Sequence, residues 1–319
     1  MQKIVPAVKT PAPKKSSRTA AQIEVDGTKL EVSNLEKVFY PKTGFTKGQV
    51  IDYYIRISQY LLPHLKDRPI TLKRYPNGVE GMFFYEKECP TYRPKWLKTT
   101  KVPRSKGGDI QYCVINNLPA LVWAANLADL EMHTFLHKAP AIDRPNALAF
   151  DLDPGPPADI IDCCKVGLWL KGVFDSLGLK SFPKTSGSKG LQIYVPLNGR
   201  VTYEQTKPFA QAIAEALEAR WPEKVVSRMQ KSLRTGKVLV DWSQNDDHKT
   251  TVSVYSLRAK ERPTVSAPVT WEEVEEAKKP QQLTFEAHEV LERVEKHGDL
   301  FAPVLSLKQK LPKTFLRPS

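Results

Sequence analysis

Two carboxylates sit two positions apart inside the apolar run Ala147-Leu-Ala-Phe-Asp-Leu-Asp-Pro-Gly-Pro156, a spacing suited to gripping a divalent cation. Read as a strand, the run has period two, so Ala147, Ala149, Asp151 and Asp153 share one face while Leu148, Phe150 and Leu152 take the other. The two Asp Cα atoms then lie about 6.5 Å apart. Pro154-Gly155-Pro156-Pro157 ends the strand and leaves the pair at its carboxyl edge. An unpaired carboxylate is costly to bury, and a bound ion removes that cost. A solvated strand end accounts for the pair equally well, and Asp-x-Asp also occurs in sugar-nucleotide transferases.

A third acid interrupts a strand pattern in Gly236-Lys-Val-Leu-Val-Asp-Trp242, where Lys237, Leu239 and Asp241 face opposite to Val238, Val240 and Trp242. Three strand-borne acids suit two-metal phosphoryl transfer, although a lone strand Asp is usually a solvated face. Lys231 and Arg234 precede Asp241 and Arg258 follows it, cations that suit a triphosphate or, equally, the surface of a basic protein. Thr185-Ser-Gly-Ser-Lys-Gly190 lies between two strand patterns. Its glycines let backbone N–H groups approach an anion and Lys189 adds a point charge; an ordinary hairpin loop reads the same way.

These residues need a framework to position them. Thr46 and Gln49 form a capping box that opens a helix with Val50, Tyr54, Ile57, Leu61 and Leu65 at helical spacing. A hairpin is expected around Asp26-Gly27 within residues 22–32, and strands at 70–75, 82–87 and 109–115. A second helix is expected over residues 120–137. After the Asp151 strand the pattern gives a helix over 160–177 stopped by Gly178, strands at 179–184 and 191–197, and a helix capped by Thr202 and Gln205. Strands at 236–242 and 250–257 are expected to complete the same sheet, followed by helical patterns over 270–298. The fold class expected is α+β, with antiparallel pairs in the catalytic sheet. Its layout is a disordered basic arm over residues 1–21, a mixed α/β module over 22–142, a catalytic module over 143–300 and a tail over 301–319, the two modules packed as one unit.

The chain has 319 residues, enough for two ordinary cores, and 48 Lys and Arg against 35 Asp and Glu give a formal charge of +13, which favours a polyanionic partner such as nucleic acid. The four cysteines show no CxxC spacing, and reduced, buried thiols are expected. No apolar run reaches about 18 residues, so a soluble, cytoplasmic protein without a membrane partner is expected.

In order and spacing, FDLDPG, TSGSKGL, KSLRTGKVLVDWSQN and TTVSVYSLR closely resemble the polymerase domain of bacterial ligase D, an archaeo-eukaryotic primase-type nucleotidyltransferase. NLEKVFYP, TKG, RPITLKR, FFYEK and LEMH extend the resemblance over about residues 23 to 300. It implies an RRM-like primase-polymerase catalytic sheet in which Asp151, Asp153 and Asp241 hold Mn²⁺ or Mg²⁺. By the same resemblance Lys73, His133, Ser186, Lys189, Lys231, Arg234, Gln244 and Arg258 line the incoming nucleotide. Lys37 and Lys47 match lysines that hold the 5′-phosphate of a DNA end, and Phe84 with Tyr85 matches an aromatic pair stacking on template bases. Without the resemblance, Phe84 and Tyr85 read as core residues of an edge strand and His133 as a histidine on a helix face. Gln192 departs from the pattern, standing where the family normally carries a histidine facing the nucleotide phosphates. An amide can donate a hydrogen bond but cannot carry charge, so weaker triphosphate binding is expected.

The implied activity is template-dependent addition of NTPs or dNTPs, preferring ribonucleotides, to a primer 3′-hydroxyl at double-stranded DNA ends or gaps with a template overhang. A Ku-like end binder, a separate DNA ligase and a bacterial, nucleoid-associated setting are implied as well. The alternatives are a DNA-end-binding scaffold weakened in catalysis through Gln192, and a sugar-nucleotide transferase using Asp151 and Asp153 alone.

Overall fold

A computed structural model describes residues 20–104 and 107–312, so most of the expected basic arm and residues 313–319 of the tail lie outside the described residues. The hairpin forms as antiparallel strands Ala20–Val25 and Thr28–Ser33, its turn made by Asp26 and Gly27 at φ 47° and 72°. The helix Lys47–Leu65 begins at Thr46, whose side chain accepts from Gln49 N while the Gln49 side chain accepts from Thr46 N. Its apolar stripe enters the first of two large cores.

That core lies against a six-stranded sheet ordered Thr251–Val252, Asp129–Thr134, Pro69–Arg74, Asp109–Val114 and Thr99–Pro103, with Phe84–Glu86 paired onto Pro69–Arg74. Two expectations change here. The helix expected over 120–137 spans only Leu118–Asn126; Ala128 then takes φ 64°, and Asp129–Thr134 is a strand. Its Leu130 and Met132 enter the core, and Glu131 and His133 alternate with them, a period of two hidden beside helix-forming residues. His133 therefore stands on a strand and not on a helix. The strand expected at 250–257 shrinks to Thr251–Val252 and joins this sheet, pairing Thr251 with Thr134 and Val252 with His133, instead of completing the catalytic one.

The catalytic sheet is ordered Phe182–Thr185, Leu191–Pro196, Ala147–Pro154, Val238–Asp241 and Val225–Val226, all antiparallel except the last pair. Ala147 and Ala149 pack into the first core while Leu148, Phe150 and Leu152 pack into the second, under the helices Ile160–Ser176 and Tyr203–Arg220. The strand that carries Asp151 is thus apolar on both faces up to the acids. Within the segment read as a tail, Pro303–Ser306 is a short helix, and Gln309 Nε2 donates to the carbonyls of Lys180 and Pro196 at 2.9 Å.

Cys89 and Cys113 are joined by a disulfide, correcting the expectation of four reduced thiols; Cys163 and Cys164 are free and buried. The pairing joins a loop to a strand 24 residues later, guided by the Cys89 N–H bond to the Gln111 carbonyl at 2.6 Å, and no local spacing announces it.

Candidate active site

The register of the catalytic sheet builds the site. Asp151 lies opposite Asp241 on one side and opposite Gln192 on the other, and Gln192 in turn lies opposite Lys184. Directly opposed residues share a face, so Lys184, Gln192, Asp151 and Asp241 form one row across four strands, with Asp153 two residues along. Like charges directly opposed are unfavourable. Burial, with Asp153 beside it, pushes the Asp151 carboxyl up to about 7, and burial together with Asp241 raises Asp153. Asp151 Oδ1 is buried with no hydrogen-bond partner.

Donors from the turn after its strand fix Asp241: Ser243 N donates to Oδ1 at 2.8 Å and Gln244 Nε2 to Oδ2 at 3.1 Å. Asn245, fully buried, then takes over from the backbone ladder. Its Oδ1 accepts from Ala149 N at 3.0 Å, and its Nδ2 donates to the Ala149 and Trp242 carbonyls at 2.8 Å.

The Ser-Gly-Ser-Lys turn is drawn tightly over this sheet. A Cβ on Gly190 would stand 2.1 Å from the Leu152 carbonyl oxygen, so only glycine fits there. Ser188 N and Gly190 N both donate to Ser186 Oγ, at 3.3 and 3.1 Å, so the turn is closed on its own serine and Lys189 projects as its exposed charge.

Above the row lies a cavity of about 630 Å³ whose wall includes Asp151, Asp153, His133, Ser186, Lys189, Gln192, Arg234, Gln244, Arg258 and Tyr85. Asp241 is not among the wall residues and joins the site as Asp151's neighbour in register. Lys73 and Lys231 are not part of the wall. Lys231 is exposed on a short 3-10 turn, and Lys73 lies 3.2 Å from Glu131 and 4.7 Å from the centre of the Phe83 ring. Phe84 and Tyr85 are 44% and 53% exposed, so the core-residue reading of them does not hold. Lys37 and Lys47 sit together away from the cavity, joined by the bond from Lys47 N to the Lys37 carbonyl at 2.8 Å. Lys47 is buried and donates to the Ser33 carbonyl and Asn126 Oδ1, whereas Lys37 is exposed and donates to the Pro76 carbonyl and Asn77 Oδ1. Burial, with Lys37 and Arg74 near it, pushes Lys47 down to about 8.

Glu131 and Lys184 escaped the sequence reading. Glu131 stands 3.2 Å from both Lys73 Nζ and His133 Nε2 and 3.4 Å from Arg258 Nε. Burial alone would raise it, but His133, Arg258 and Lys73 hold its carboxyl well below the usual carboxylate range. Burial lowers His133 despite this partner. Lys184 has no exposed surface; its ammonium donates to Gln192 Oε1, Ser266 Oγ and the Val252 carbonyl. Burial pushes it down to about 7 against the pull of Asp151. A lysine can only donate, so this bond turns the Gln192 amide nitrogen away, toward Thr251 Oγ1 at 3.1 Å. The Leu-Glu-Met-His alternation contained the signal for Glu131; none of comparable strength marked Lys184.

A family model for the LigD primase-polymerase domain matches residues 46–301. The multifunctional non-homologous end joining protein LigD of Mycolicibacterium smegmatis is 40% identical over 278 residues, covering 86% of this chain and 36% of that protein. The bifunctional non-homologous end joining protein LigD of Bacillus subtilis is 34% identical over 271 residues, 85% of this chain and 43% of that one. Thus the chain spans well under half the length of these curated relatives. Among solved structures, the polymerase domain from Mycobacterium tuberculosis ligase D in complex with DNA superposes with a TM-score of 0.81 at 38% identity, covering 87% of this chain and 98% of that one. With residues 46–301 matched and an aspartate row on the expected sheet, the chain belongs to the LigD primase-polymerase family.

Proposed function

We propose that this chain is a template-directed nucleotidyltransferase that adds nucleotides, ribonucleotides by preference, to a primer 3′-hydroxyl at DNA ends or gaps and releases pyrophosphate. The observation that carries the reading is the row in which Asp151 and Asp241 oppose each other, with Asp153 beside them, beneath a cavity rimmed by Lys189, Arg234 and Arg258. The acids fit a divalent cation such as Mn²⁺ or Mg²⁺: hard oxygen donors, like charges in excess, and a buried Asp151 oxygen without a partner. Among the described residues no three carboxylate, imidazole or thiol groups close into a ready metal cage. Ions of the Mg²⁺ type take one or two carboxylates and complete their shell with substrate phosphates and water. When bound, such ions would supply charge stabilisation at the attacking and leaving oxygens.

The chain's own residues do the rest by positioning. Lys189, Arg234 and Arg258 neutralise the triphosphate, and the Ser186 turn holds Arg258 in place through its backbone carbonyl. His133, lowered by burial and held by Glu131, lines the cavity, and its role in this reading is selection of the ribose hydroxyl. Phe84 and Tyr85 stack on template bases, and Lys37 with Lys47 takes the 5′-phosphate. A role in joining breaks is suggested by the relatives' names, which print non-homologous end joining, and a Ku-type end binder and a separate ligase are implied only by the family resemblance.

Primer extension on a recessed DNA end tests it. Mn²⁺-dependent extension by the parent chain, abolished in Asp151→Ala, is expected, with a lower KM for NTP than for dNTP that His133→Ala narrows. DNA binding without any extension by the parent would overturn the enzymatic reading in favour of an end-binding scaffold.

A further inference from the structure

Nine large apolar side chains are exposed among the described residues, and six of them, Met82, Phe83, Phe84, Tyr85, Tyr92 and Trp96, fall between positions 82 and 96. So dense an apolar surface on one stretch marks an interaction site. The aromatic pair read from the sequence accounts for only part of it. Beyond that pair, Tyr92, Pro94 and Trp96 form one wall of a separate groove of about 450 Å³, closed by Trp123 and Asn126 of the helix Leu118–Asn126 and by Lys29 of the first hairpin.

Two residues tie this groove to both of the places already proposed for DNA. Arg74 lies with its guanidinium carbon 5.2 Å from the centre of the Phe84 ring while its Nη1 donates to the Tyr92 hydroxyl at 3.0 Å, bridging platform and groove. At the other end Asn126, a groove residue, accepts from Lys47 Nζ at 2.7 Å. The loop carrying Tyr92 and Trp96 is pinned at its start by the Cys89–Cys113 bridge and at its end by the bond from Val114 N to the Lys98 carbonyl at 2.9 Å. Its backbone is therefore held at both ends before a ligand arrives, which lowers the ordering cost of binding.

The flat π faces of Tyr92 and Trp96, with the exposed Lys29 on the facing wall beside Glu31, match an unpaired nucleobase on a charged backbone better than an apolar protein segment, while Arg74, paired with Glu86 at 2.8 Å, links the groove to the Phe84 ring. We infer that the Tyr92–Trp96 groove holds an unpaired base of single-stranded DNA on the path between the Phe84–Tyr85 platform and the Lys37–Lys47 pair. This inference rests on the DNA-directed reading above and extends the DNA surface beyond the residues named there.

The test places 5-iododeoxyuridine at each unpaired position of a DNA end in turn, irradiates it with the full chain, and maps the crosslinks by mass spectrometry. Binding of the same end and of a blunt duplex is measured for the parent, Trp96→Leu and Tyr92→Leu. One unpaired position is expected to crosslink to Tyr92 or Trp96. Trp96→Leu is expected to weaken the unpaired-strand substrate about tenfold while leaving the blunt duplex within about twofold. The salt dependence of binding stays as in the parent, because no cation is removed. Tyr92 is 63% exposed, so its variant keeps the test valid should Trp96→Leu disturb folding. Parental binding by both variants, with crosslinks only to Phe84 or Tyr85, overturns the groove and leaves the polymerase reading standing. Failure of the parent to bind DNA at all removes both.

Discussion

At the scale of single residues, the two middle members of the row across the catalytic sheet, Asp151 and Gln192, behave differently. Asp151 is raised from 3.8 to about 7 by burial and by Asp153, so the folded chain binds this proton more tightly than the unfolded chain does. Its contribution to stability is fully present below pH 3.8 and is lost as pH rises through about 7. Asp151→Asn is therefore expected to raise the melting temperature at pH 8 and to flatten the fall in stability between pH 4 and 7. Addition of Mn²⁺ at pH 8 should stabilise the parent and leave Asp151→Asn unmoved; equal stabilisation of both proteins would remove Asp151 from the ion site. Directly opposite Asp151, Gln192 bridges Lys184 and Thr251 and is 3% exposed, which changes the expectation drawn from its amide chemistry. An imidazole here would have to accept from Lys184 through one ring nitrogen and so stay neutral. Gln192→His should accordingly change nucleotide affinity by less than about twofold and should lower stability by about 1 kcal/mol through the strained bridge. A tenfold gain in affinity would show that the family histidine's charge is what this chain lacks.

At the scale of elements, the strand bearing Asp151 keeps its register because Asn245 mimics a backbone partner for Ala149 after the neighbouring strand ends at Asp241. Asn245→Ala would leave the buried Ala149 N–H and carbonyl unpaired and should cost about 2 to 4 kcal/mol, read as a lower denaturant midpoint with unchanged slope. A loss below about 0.5 kcal/mol would mean that the strand is held by its other neighbour alone. The carboxylates themselves were legible in the sequence because a period of two assigns faces without knowledge of any partner. Asn245, Lys184 and Glu131 were not, because each acts through what lies opposite or beneath it. The same limit explains the misreading of residues 129–134, where Leu130, Glu131 and Met132 are good helix formers although Ala128, at φ 64°, has already ended the helix before them. Resemblance to a family supplied residue roles that local pattern could not, but it did not show that Ser186 Oγ is already engaged by its own turn.

At the scale of the whole molecule, the net charge of +13 favours a polyanionic partner, and the proposed 5′-phosphate site rests on the pairing of an exposed Lys37 with a buried Lys47. Removing one phosphate-neutralising cation should lower the slope of log affinity against log salt by about one, so Lys37→Ala is expected to bind DNA ends more weakly and with that shallower slope. An unchanged slope would take Lys37 off the phosphate. Lys47 adds a pH dependence of known sign. Lowered from 10.5 to about 8 by burial and by Lys37 and Arg74, it is charged in the free protein below pH 8 and loses its proton above. A 5′-phosphate binds the charged form, so above pH 8 the protein must take up a proton on binding, and the preference for a 5′-phosphorylated over a 5′-hydroxyl end should shrink by up to about tenfold per pH unit. Below pH 8 the same preference should be flat until the phosphate itself gains a proton near pH 6. Fluorescence anisotropy with the two ends between pH 7 and 9.5 reads the ratio directly and cancels losses common to both. A ratio constant across that range would place the 5′-phosphate elsewhere than on Lys47.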